Sequence, residues 1–399
     1  MNSMHDVGLD IHKKSISSCV RQADGSIVQE STIAASHQAL DRWMDQLPQP
    51  WLAGMEATLF TGWIYDHLNS RGAMVKVGHP AMLEAIVAGK KKNDRVDARK
   101  ISNLLRCDYF PECHMAPREI RDRRRVLRYR NFLVRQAVRM KNKVSGLLME
   151  TGIPYNQQKV HSKKYFAELL REQRQEMPQS LPQLLQLSRS TIETISGMER
   201  QLLQALEQDE LLAARVERLA TIPGVGRVVA LTWALEMGDI GRFSSVKKAV
   251  SYCGLCGAEK SSGGKRERTP ISKQRNKHLQ SMLIEAAKLA PRWNAELALV
   301  YEREKQKGNC NQATLAVARK LVAYLMAVDR EKVLSNRVWP RWPRSRLENR
   351  AGRKNVVEMQ SSATCQTSPF RGLGEGSETS RGPQFRGSRL AGESKLNLR

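Results

Sequence analysis

Residues 7–33 read VGLDIHKKSISSCVRQADGSIVQESTI and contain three short segments that predict β-strands. The first segment, at 7–12, is apolar, and the second, at 15–22, alternates apolar and polar residues. The third follows a turn centred on Asp24 and Gly25, a pair that favours tight hairpins. We therefore expect the fold to begin with three consecutive strands joined by short turns.

Helix and strand signals alternate in the residues that follow. Residues 37–47 space their apolar side chains as one face of a helix, and residues 51–57 predict a buried strand that ends at Glu56. The remaining predicted elements are a helix at 62–72, a fifth strand at 73–80, a helix at 81–89 and a last helix from 91 onward. Three antiparallel-type strands followed by alternating helices and strands indicate a mixed sheet covered by helices, an α/β domain over residues 6–110.

Four carboxylates are placed to meet at one edge of this sheet. The last helix, KKNDRVDARKISNLL at 91–105, carries Asp94 and Asp97 three residues apart and so on one helix face. Asp10 ends the first strand and Glu56 the fourth, so the two would emerge side by side if those strands are adjacent. Taken singly, each acid is explained as a surface charge or helix cap, and neighbouring lysines and arginines could neutralise it. Jointly, these hard oxygen ligands predict a site for Mg²⁺ or Mn²⁺.

Composition indicates the partner. The chain has 399 residues, 66 Lys and Arg against 40 Asp and Glu, and a formal charge of +26. The excess is spread along the chain, which is typical of a protein that binds the phosphates of DNA or RNA. An anionic membrane is the competing partner, but no apolar run has transmembrane length and no signal peptide pattern is present. Seven scattered cysteines are typical of a reducing compartment. We expect a cytoplasmic, nucleoid-associated protein without a membrane partner.

The middle of the chain predicts long helices over residues 117–215. Two apolar seams with heptad-like spacing indicate a helical hairpin or coiled coil, a spacer that commonly serves for dimerisation. Its first arm, residues 118–143, is rich in arginine. This arm is either a solvated outer face or a track for phosphates, and the density of arginine favours the track.

Residues 216–330 predict a second compact and mainly helical domain. The segment IPGVG at 222–226 is an apolar turn between helices, in which Gly224 and Gly226 would let the backbone approach a phosphate, although the same turn also occurs as plain structure. Residues 335–399 lose apolar periodicity and predict a disordered basic tail.

Several of these segments resemble the transposases of the IS110 family. GLDIHKKSI (8–16), GMEATLFTGWIYDHL (54–68) and KNDRVDARKISNLL (92–105) are similar to the N-terminal domain of that family, which has an RNase H/RuvC-like fold. LATIPGVGRVVALTWALEMGDIGRF (219–243) and YCGLCGAEKSSGGKRERTPISKQRNKHLQSMLIEAA (252–287) are similar to its second domain. Two motif blocks in the right order, separated by a helical spacer, make the resemblance specific over residues 6–328.

The resemblance implies a mechanism. The family's acidic Asp-Glu-Asp-Asp set corresponds to Asp10, Glu56, Asp94 and Asp97, which would act as catalytic metal ligands. Its serine nucleophile lies just before glycine, so that Ser262 is the best match in KSSGGK (260–265) and Ser261 is the alternative. The resemblance further implies a DNA transposase of an insertion sequence, a noncoding guide RNA from the element, and assembly into homodimers or homotetramers.

Basic residues and turn glycines along these motifs are candidate nucleic-acid contacts. They are Lys91, Lys92, Arg95, Arg124, Arg128, Gly224, Gly226, Lys265, Arg266, Arg268 and Lys273. The chain also departs from the family pattern, because Arg275 stands where glycine is frequent, Gln280 where arginine is frequent and Ala258 where proline is frequent. These changes leave the proposed nucleophile intact but bear on the geometry of the loop.

Two other functions fit the same residues. A RuvC-like metal-dependent nuclease, such as a junction resolvase, would use water in place of Ser262. A nucleic-acid-binding protein with a degenerate acidic set would need none of the four acids, although all four are present. His12 follows Asp10 closely and could face the acidic site, but a histidine at a strand end is more often structural.

Overall fold

The computed structural model describes residues 4–86, 93–262, 265–272 and 274–332, and for residues 258–262 and 265–270 it describes the backbone alone. Of the predicted nucleic-acid contacts, Lys91, Lys92 and Lys273 lie outside the described residues, as does the predicted tail at 335–399. None of the described helices combines the length and the apolar character needed to cross a bilayer.

The N-terminal part contains one mixed sheet of five strands in the order β3-β2-β1-β4-β5. Its strands are β1 (His5–Ile11), β2 (Ser15–Arg21), β3 (Ile27–Ala34), β4 (Trp51–Glu56) and β5 (Met74–Gly78). Its helices are α1 (His37–Met44), α2 (Thr61–Ser70), α3 (Pro80–Ile86) and α4 (Asp94–Arg106). The first three strands pair antiparallel, whereas β1–β4 and β4–β5 pair parallel. The predicted mixed sheet and the RuvC-like arrangement are confirmed.

The two faces of the sheet are packed differently because side chains alternate along each strand. Val7, Leu9 and Met55 point to one face and are buried in a core with side chains of α1 and α2. The opposite face carries Gly8 on β1 and Gly54 on β4, which are direct neighbours in the register. Helix α4 packs against this second face.

Close contact between α4 and the sheet depends on those two glycines. A Cβ at Gly8 would lie 2.0 Å from the carbonyl oxygen of Ala98 and 2.5 Å from the backbone nitrogen of Ser102. A Cβ at Gly54 would lie 2.9 Å from a methyl group of Leu105. Any larger residue at position 8 would push the helix backbone away from the strand.

Long helices follow, as predicted. They are α5 (Arg118–Glu150), α6 (Lys163–Glu172) and α7 (Leu181–Glu207). Val144 and Leu148 of α5 are buried in one core with Leu185 and Ile192 of α7, and the short α6 covers that core through Phe166. The opposite ends of α5 and α7 contribute Leu127 and Leu206 to the core of the C-terminal part.

The C-terminal part is mainly helical and includes one two-stranded hairpin. Its elements are α8 (Glu210–Ala220), α9 (Arg227–Met237), α10 (Val246–Tyr252), β6 (Gly257–Ser262), β7 (Lys265–Ile271), α11 (Lys277–Leu289), α12 (Ala295–Lys307) and α13 (Cys310–Glu331). Residues 230–237 of α9 are all buried, so this helix forms the centre of the core. The β6–β7 hairpin was not among the predicted elements.

Candidate metal and nucleic-acid site

Asp10 and Glu56 come together because β1 and β4 are parallel neighbours. Leu9 pairs with Met55 in the register, and the two carboxylates follow at the carboxyl ends of their strands. Each acid lies two residues beyond one of the packed glycines, Gly8 or Gly54, and therefore on the same face as α4. The predicted adjacency of the first and fourth strands is confirmed.

The remaining two acids lie in the first turn of α4. Asn93 caps the helix, and its side-chain oxygen accepts a hydrogen bond from the backbone N–H of Arg95 at 2.9 Å. Asp94 is the first helical residue, and Asp97 follows within the first turn. The partial positive charge at a helix N-terminus favours carboxylates in these positions.

Asp10, His12 and Asp94 form a compact cluster of possible ligands. Nε2 of His12 lies 3.2 Å from Oδ2 of Asp10 and 3.3 Å from Oδ1 of Asp94. One donor atom from each of the three residues lies within 4.8 Å of the other two. His12 therefore faces the acidic site. Its position two residues after Asp10 had raised this possibility in the sequence.

Asp97 and Glu56, the other two predicted ligands, are not part of this cluster of donor atoms. The carboxylate of Asp97 is partly exposed and lies 3.0 Å from Nζ of Lys100, and Glu56 is half-buried at the end of β4. Burial raises the pKa of Asp10, and the negative charges of Asp94 and Asp97 act in the same direction, against the opposing effect of His12. Because bringing these acids together disfavours the charged form of Asp10, a cation at this position would relieve the repulsion. Oxygen donors with one imidazole nitrogen fit a divalent ion.

Glu30, a carboxylate outside the predicted set, anchors the helix that carries Asp94 and Asp97. Glu30 on β3 accepts hydrogen bonds from the guanidinium groups of both Arg95 and Arg99 on α4. These bonds lower the pKa of Glu30 to about 2. Arg95, a predicted nucleic-acid contact, thus also ties α4 to the sheet, while 64% of its side chain stays exposed.

Two further predicted phosphate contacts, Arg124 and Arg128 of α5, bind the C-terminal core. Nε of Arg124 donates to the carbonyl oxygen of Leu235 at 2.5 Å. Arg128 makes two hydrogen bonds of 2.8 Å to the carboxylate of Glu236, which is fully buried. Burial alone would raise the pKa of Glu236, but hydrogen bonds from Arg128 and Asn276 outweigh it and lower that pKa. These contacts give both arginines a structural role that the prediction of a phosphate track did not include.

The IPGVG turn joins α8 to α9, as predicted. Gly224 has a φ of 93°, and a Cβ there would lie 2.8 Å from Cβ of Ala290, so packing and backbone conformation both require glycine. At Gly226, which precedes α9, the position of a Cβ is open. A contact of either glycine with phosphate stays a prediction.

The backbone of the β6–β7 hairpin carries the predicted nucleophile. Ser262 is the last residue of β6 and pairs with Lys265, and Ser261 pairs with Arg266. The side chains of Ser261, Ser262, Lys265, Arg266 and Arg268 lie outside the described residues. Their predicted roles in catalysis and nucleic-acid binding therefore stay predictions.

Comparison with known proteins gives two family models that match different parts of the chain. A transposase model for DEDD proteins of the IS110 type matches residues 7–153, and the model described as the transposase IS116/IS110/IS902 family matches residues 216–302. The first covers the sheet with the acidic cluster, and the second runs from the middle of α8 through the hairpin and into α12.

Individual relatives cover much of the chain at low identity. The transposase for insertion sequence element IS1328 of Yersinia enterocolitica is 27% identical over 290 residues, which are 71% of this chain and 83% of the relative. The transposase for insertion sequence element IS1111A of Coxiella burnetii is 25% identical over 248 residues, 59% of this chain and 66% of the relative. A pilin gene-inverting protein of Moraxella bovis is 29% identical over 142 residues, 35% of this chain and 44% of the relative.

Proposed function

The chain belongs to the IS110 family of insertion-sequence transposases, and from this we propose that it cuts and rejoins DNA through a serine–phosphodiester intermediate. A divalent cation held by Asp10, Glu56, Asp94 and Asp97 would assist the reaction, with Mg²⁺ or Mn²⁺ as the ion.

The observation that carries this proposal is the meeting of β1, β4 and α4 at one edge of the sheet. His12 bridges Asp10 and Asp94 there, and the negative charge of Asp97, one helical turn along α4, also acts on Asp10. Glu56 ends the neighbouring strand β4. A bound divalent ion would stabilise negative charge on a phosphodiester and make a nearby hydroxyl more acidic. The protein's own contribution is to hold the carboxylates in place through the glycine-packed helix and the Glu30 anchor.

Ser262 is proposed as the nucleophile, with Ser261 as the alternative. Its hydroxyl oxygen would attack the phosphorus, its proton would pass to a base, and the bond from phosphorus to one DNA end would break. That end would leave with a free hydroxyl group, and the other end would stay on the serine as a phosphodiester. Because the new ester conserves the energy of the broken bond, rejoining to another hydroxyl would need no ATP.

The names of two relatives favour recombination over simple hydrolysis of DNA. The pilin gene-inverting proteins are named for inverting a gene, and inverting a DNA segment requires strands to be rejoined as well as cut. A metal-dependent nuclease that uses water would not form the covalent intermediate, so the two reactions differ in a product that can be isolated.

The proposed partners are DNA, at the element ends and the target, and a noncoding RNA from the element. The formal charge of +26 is compatible with binding both nucleic acids, although DNA alone would also account for it. A homodimer or homotetramer is proposed because two DNA sites must be brought together, and the long helices α5 and α7 offer an interface for assembly.

Trapping of a covalent protein–DNA adduct tests the proposal. The full chain would be co-expressed with the RNA that flanks its gene, incubated with Mg²⁺ and labelled element-end DNA, and run on a denaturing gel. We expect labelled DNA at the mass of the protein, lost in Ser262→Ala and strongly reduced in Asp97→Asn. Ser261→Ala is the matched control, and loss in that variant alone would assign the nucleophile to Ser261. Cleavage without an adduct would replace the proposal with a hydrolytic nuclease.

A further inference from the structure

A cleft of about 400 Å³ opens beside the acidic cluster, where β1 ends and α1 and α2 begin. Its lining includes His12, Lys13, Ser36, His37, Phe60 and Trp63. We propose that this cleft binds an unpaired nucleobase of the DNA strand whose phosphate lies at the acidic cluster. This inference rests on the proposed function, because that function brings a phosphodiester to the acids.

His12 joins the cleft to the acidic cluster. Its imidazole lines the cleft, and its Nε2 atom is the one that lies 3.2 Å from Asp10 and 3.3 Å from Asp94. The cleft is therefore adjacent to the carboxylates of Asp10 and Asp94, with His12 between them. A DNA strand with one phosphate at the acids would bring a neighbouring nucleotide to the mouth of the cleft.

Aromatic rings in the cleft suit the flat face of a base. Phe60 and Trp63 are half-buried and pack against the core between the sheet and the helices, which holds their rings in place. The rings of Trp63 and His37 have centroids 4.7 Å apart at an interplanar angle of 46°, and His37 contacts His67 edge-on at 4.8 Å. Aromatic side chains that are fixed in this way form platforms on which bases of any sequence stack.

Polar groups of the cleft complement a nucleotide as well. The Trp63 indole N–H donates no hydrogen bond to any residue that the structure describes, so it is available to a carbonyl group of a base. Lys13 supplies a positive charge at the rim, and none of the described residues that line the cleft is acidic. The base would thus be held by stacking and by one donor, and its phosphate by a cation.

Photochemical cross-linking tests whether a base enters the cleft. The full chain would be irradiated with a short single-stranded oligothymidylate that carries one 5-iodouracil, and the adducts would be mapped by tryptic digestion and mass spectrometry. We expect a cross-link at Phe60 or Trp63, in the tryptic peptide of residues 43–71. Cross-links found only in other peptides would overturn the proposal.

Substitutions make the test specific. Trp63→Ala should lower the yield of that cross-link at least about fivefold, in line with the effect of removing one stacking side chain. Trp63→Phe retains a ring and should retain most of the yield, which excludes misfolding as the cause. Tyr109→Ala, an exposed aromatic just beyond the far end of α4, is the matched control and should change nothing. An unchanged yield in Trp63→Ala would contradict the proposal.

Two further arms separate this inference from the proposed function. A cross-link at Trp63 in a protein that forms no covalent adduct would support the cleft and count against the serine mechanism. A wild-type protein that forms the covalent adduct but gives no cross-link in the peptide of residues 43–71 would support the mechanism and overturn the cleft. A separate arm replaces the DNA probe with an oligouridylate that carries one 5-iodouracil. A cross-link with this RNA but not with the DNA would overturn the assignment to the DNA strand.

Discussion

Arg275 donates a hydrogen bond from Nε to the side-chain oxygen of Gln280, and Gln280 donates from Nε2 to the carbonyl oxygen of Gly254 at 2.6 Å. Gln280 is buried, and the Arg275 side chain occupies the space that a Cβ on Gly254 would take. These two contacting residues are two of the three positions at which we expect the chain to depart from the family pattern, with arginine for glycine and glutamine for arginine; the third is Ala258. Because the two side chains meet in one site, we infer that the residues at positions 275 and 280 depend on each other.

The pairing predicts a compensating double substitution. Arg275→Gly alone would leave the buried Gln280 oxygen without its donor and should lower the free energy of unfolding by about 2 kcal/mol. Gln280→Arg alone would set a second guanidinium group against Arg275 and should also destabilise. The double variant Arg275→Gly/Gln280→Arg should recover most of the loss, as measured by thermal unfolding in a double-mutant cycle. Strictly additive effects would contradict a shared site.

Packing of α4 against Gly8 predicts that this glycine controls the acidic site. Gly8→Ala would place a methyl carbon 2.0 Å from the Ala98 carbonyl oxygen, so the helix must move. We expect a loss of at least about 2 kcal/mol in stability together with weaker Mn²⁺ binding, because α4 carries Asp94 and Asp97. Gly146→Ala in α5, where the position of a Cβ is open, is the control and should retain both properties. Unchanged Mn²⁺ affinity in a folded Gly8→Ala variant would show that the site does not depend on the position of α4.

Most of the N-terminal fold could be predicted because the signals are local. Strand length, the Asp24-Gly25 turn and the apolar helix faces each lie within one short segment, and their order indicated a mixed sheet. The close approach of α4 could not be predicted in the same way. It depends on Gly8 and Gly54 being neighbours in the sheet, and neither glycine is distinctive within its own segment.

The same distinction applies to the candidate site. Asp10 and Glu56 end predicted strands, so their meeting needed only the assumption that the strands are adjacent. The arginine-rich arm was harder to interpret because composition does not reveal which residues face a distant partner. Arg128 lies 108 residues from Glu236 in the sequence, and only the packing of α5 against α9 brings the pair together. The buried Glu236 itself lies in a mostly apolar helix and carried no local sign of an ion pair.

The anchor between Glu30 and α4 predicts a pH-dependent contribution to stability. Hydrogen bonds from Arg99 and Arg95 lower the pKa of Glu30 to about 2, from an ordinary value of 4.5. A group whose pKa is lowered by folding stabilises the protein above its unfolded pKa, and that contribution is lost as the pH falls towards the folded value. Glu30→Gln should therefore melt at a lower temperature than wild type at pH 7, and the difference should shrink as the pH falls from 4.5 towards 2.

Thermal melts at a series of pH values would check this dependence. Glu285→Gln removes an exposed carboxylate that pairs with Lys288 one helical turn away, and it should have little effect at any pH. A difference between Glu30→Gln and wild type that stays constant or grows on acidification would show that the Glu30 charge is not what ties α4 to the sheet.

The position of His12 between Asp10 and Asp94 predicts that its imidazole takes part in cation binding. A nitrogen donor 3.2 and 3.3 Å from the two carboxylate oxygens can share a divalent ion with them. His12→Asn should therefore raise the dissociation constant for Mn²⁺ about 10-fold, measured by isothermal titration or by the electron paramagnetic resonance signal of free Mn²⁺. His5→Asn, at the start of β1, the strand whose other end His12 follows, is the matched control and should leave Mn²⁺ affinity unchanged. Tighter Mn²⁺ binding by His12→Asn would contradict a ligand role, because it would mean that the imidazole occupies the place that the cation takes.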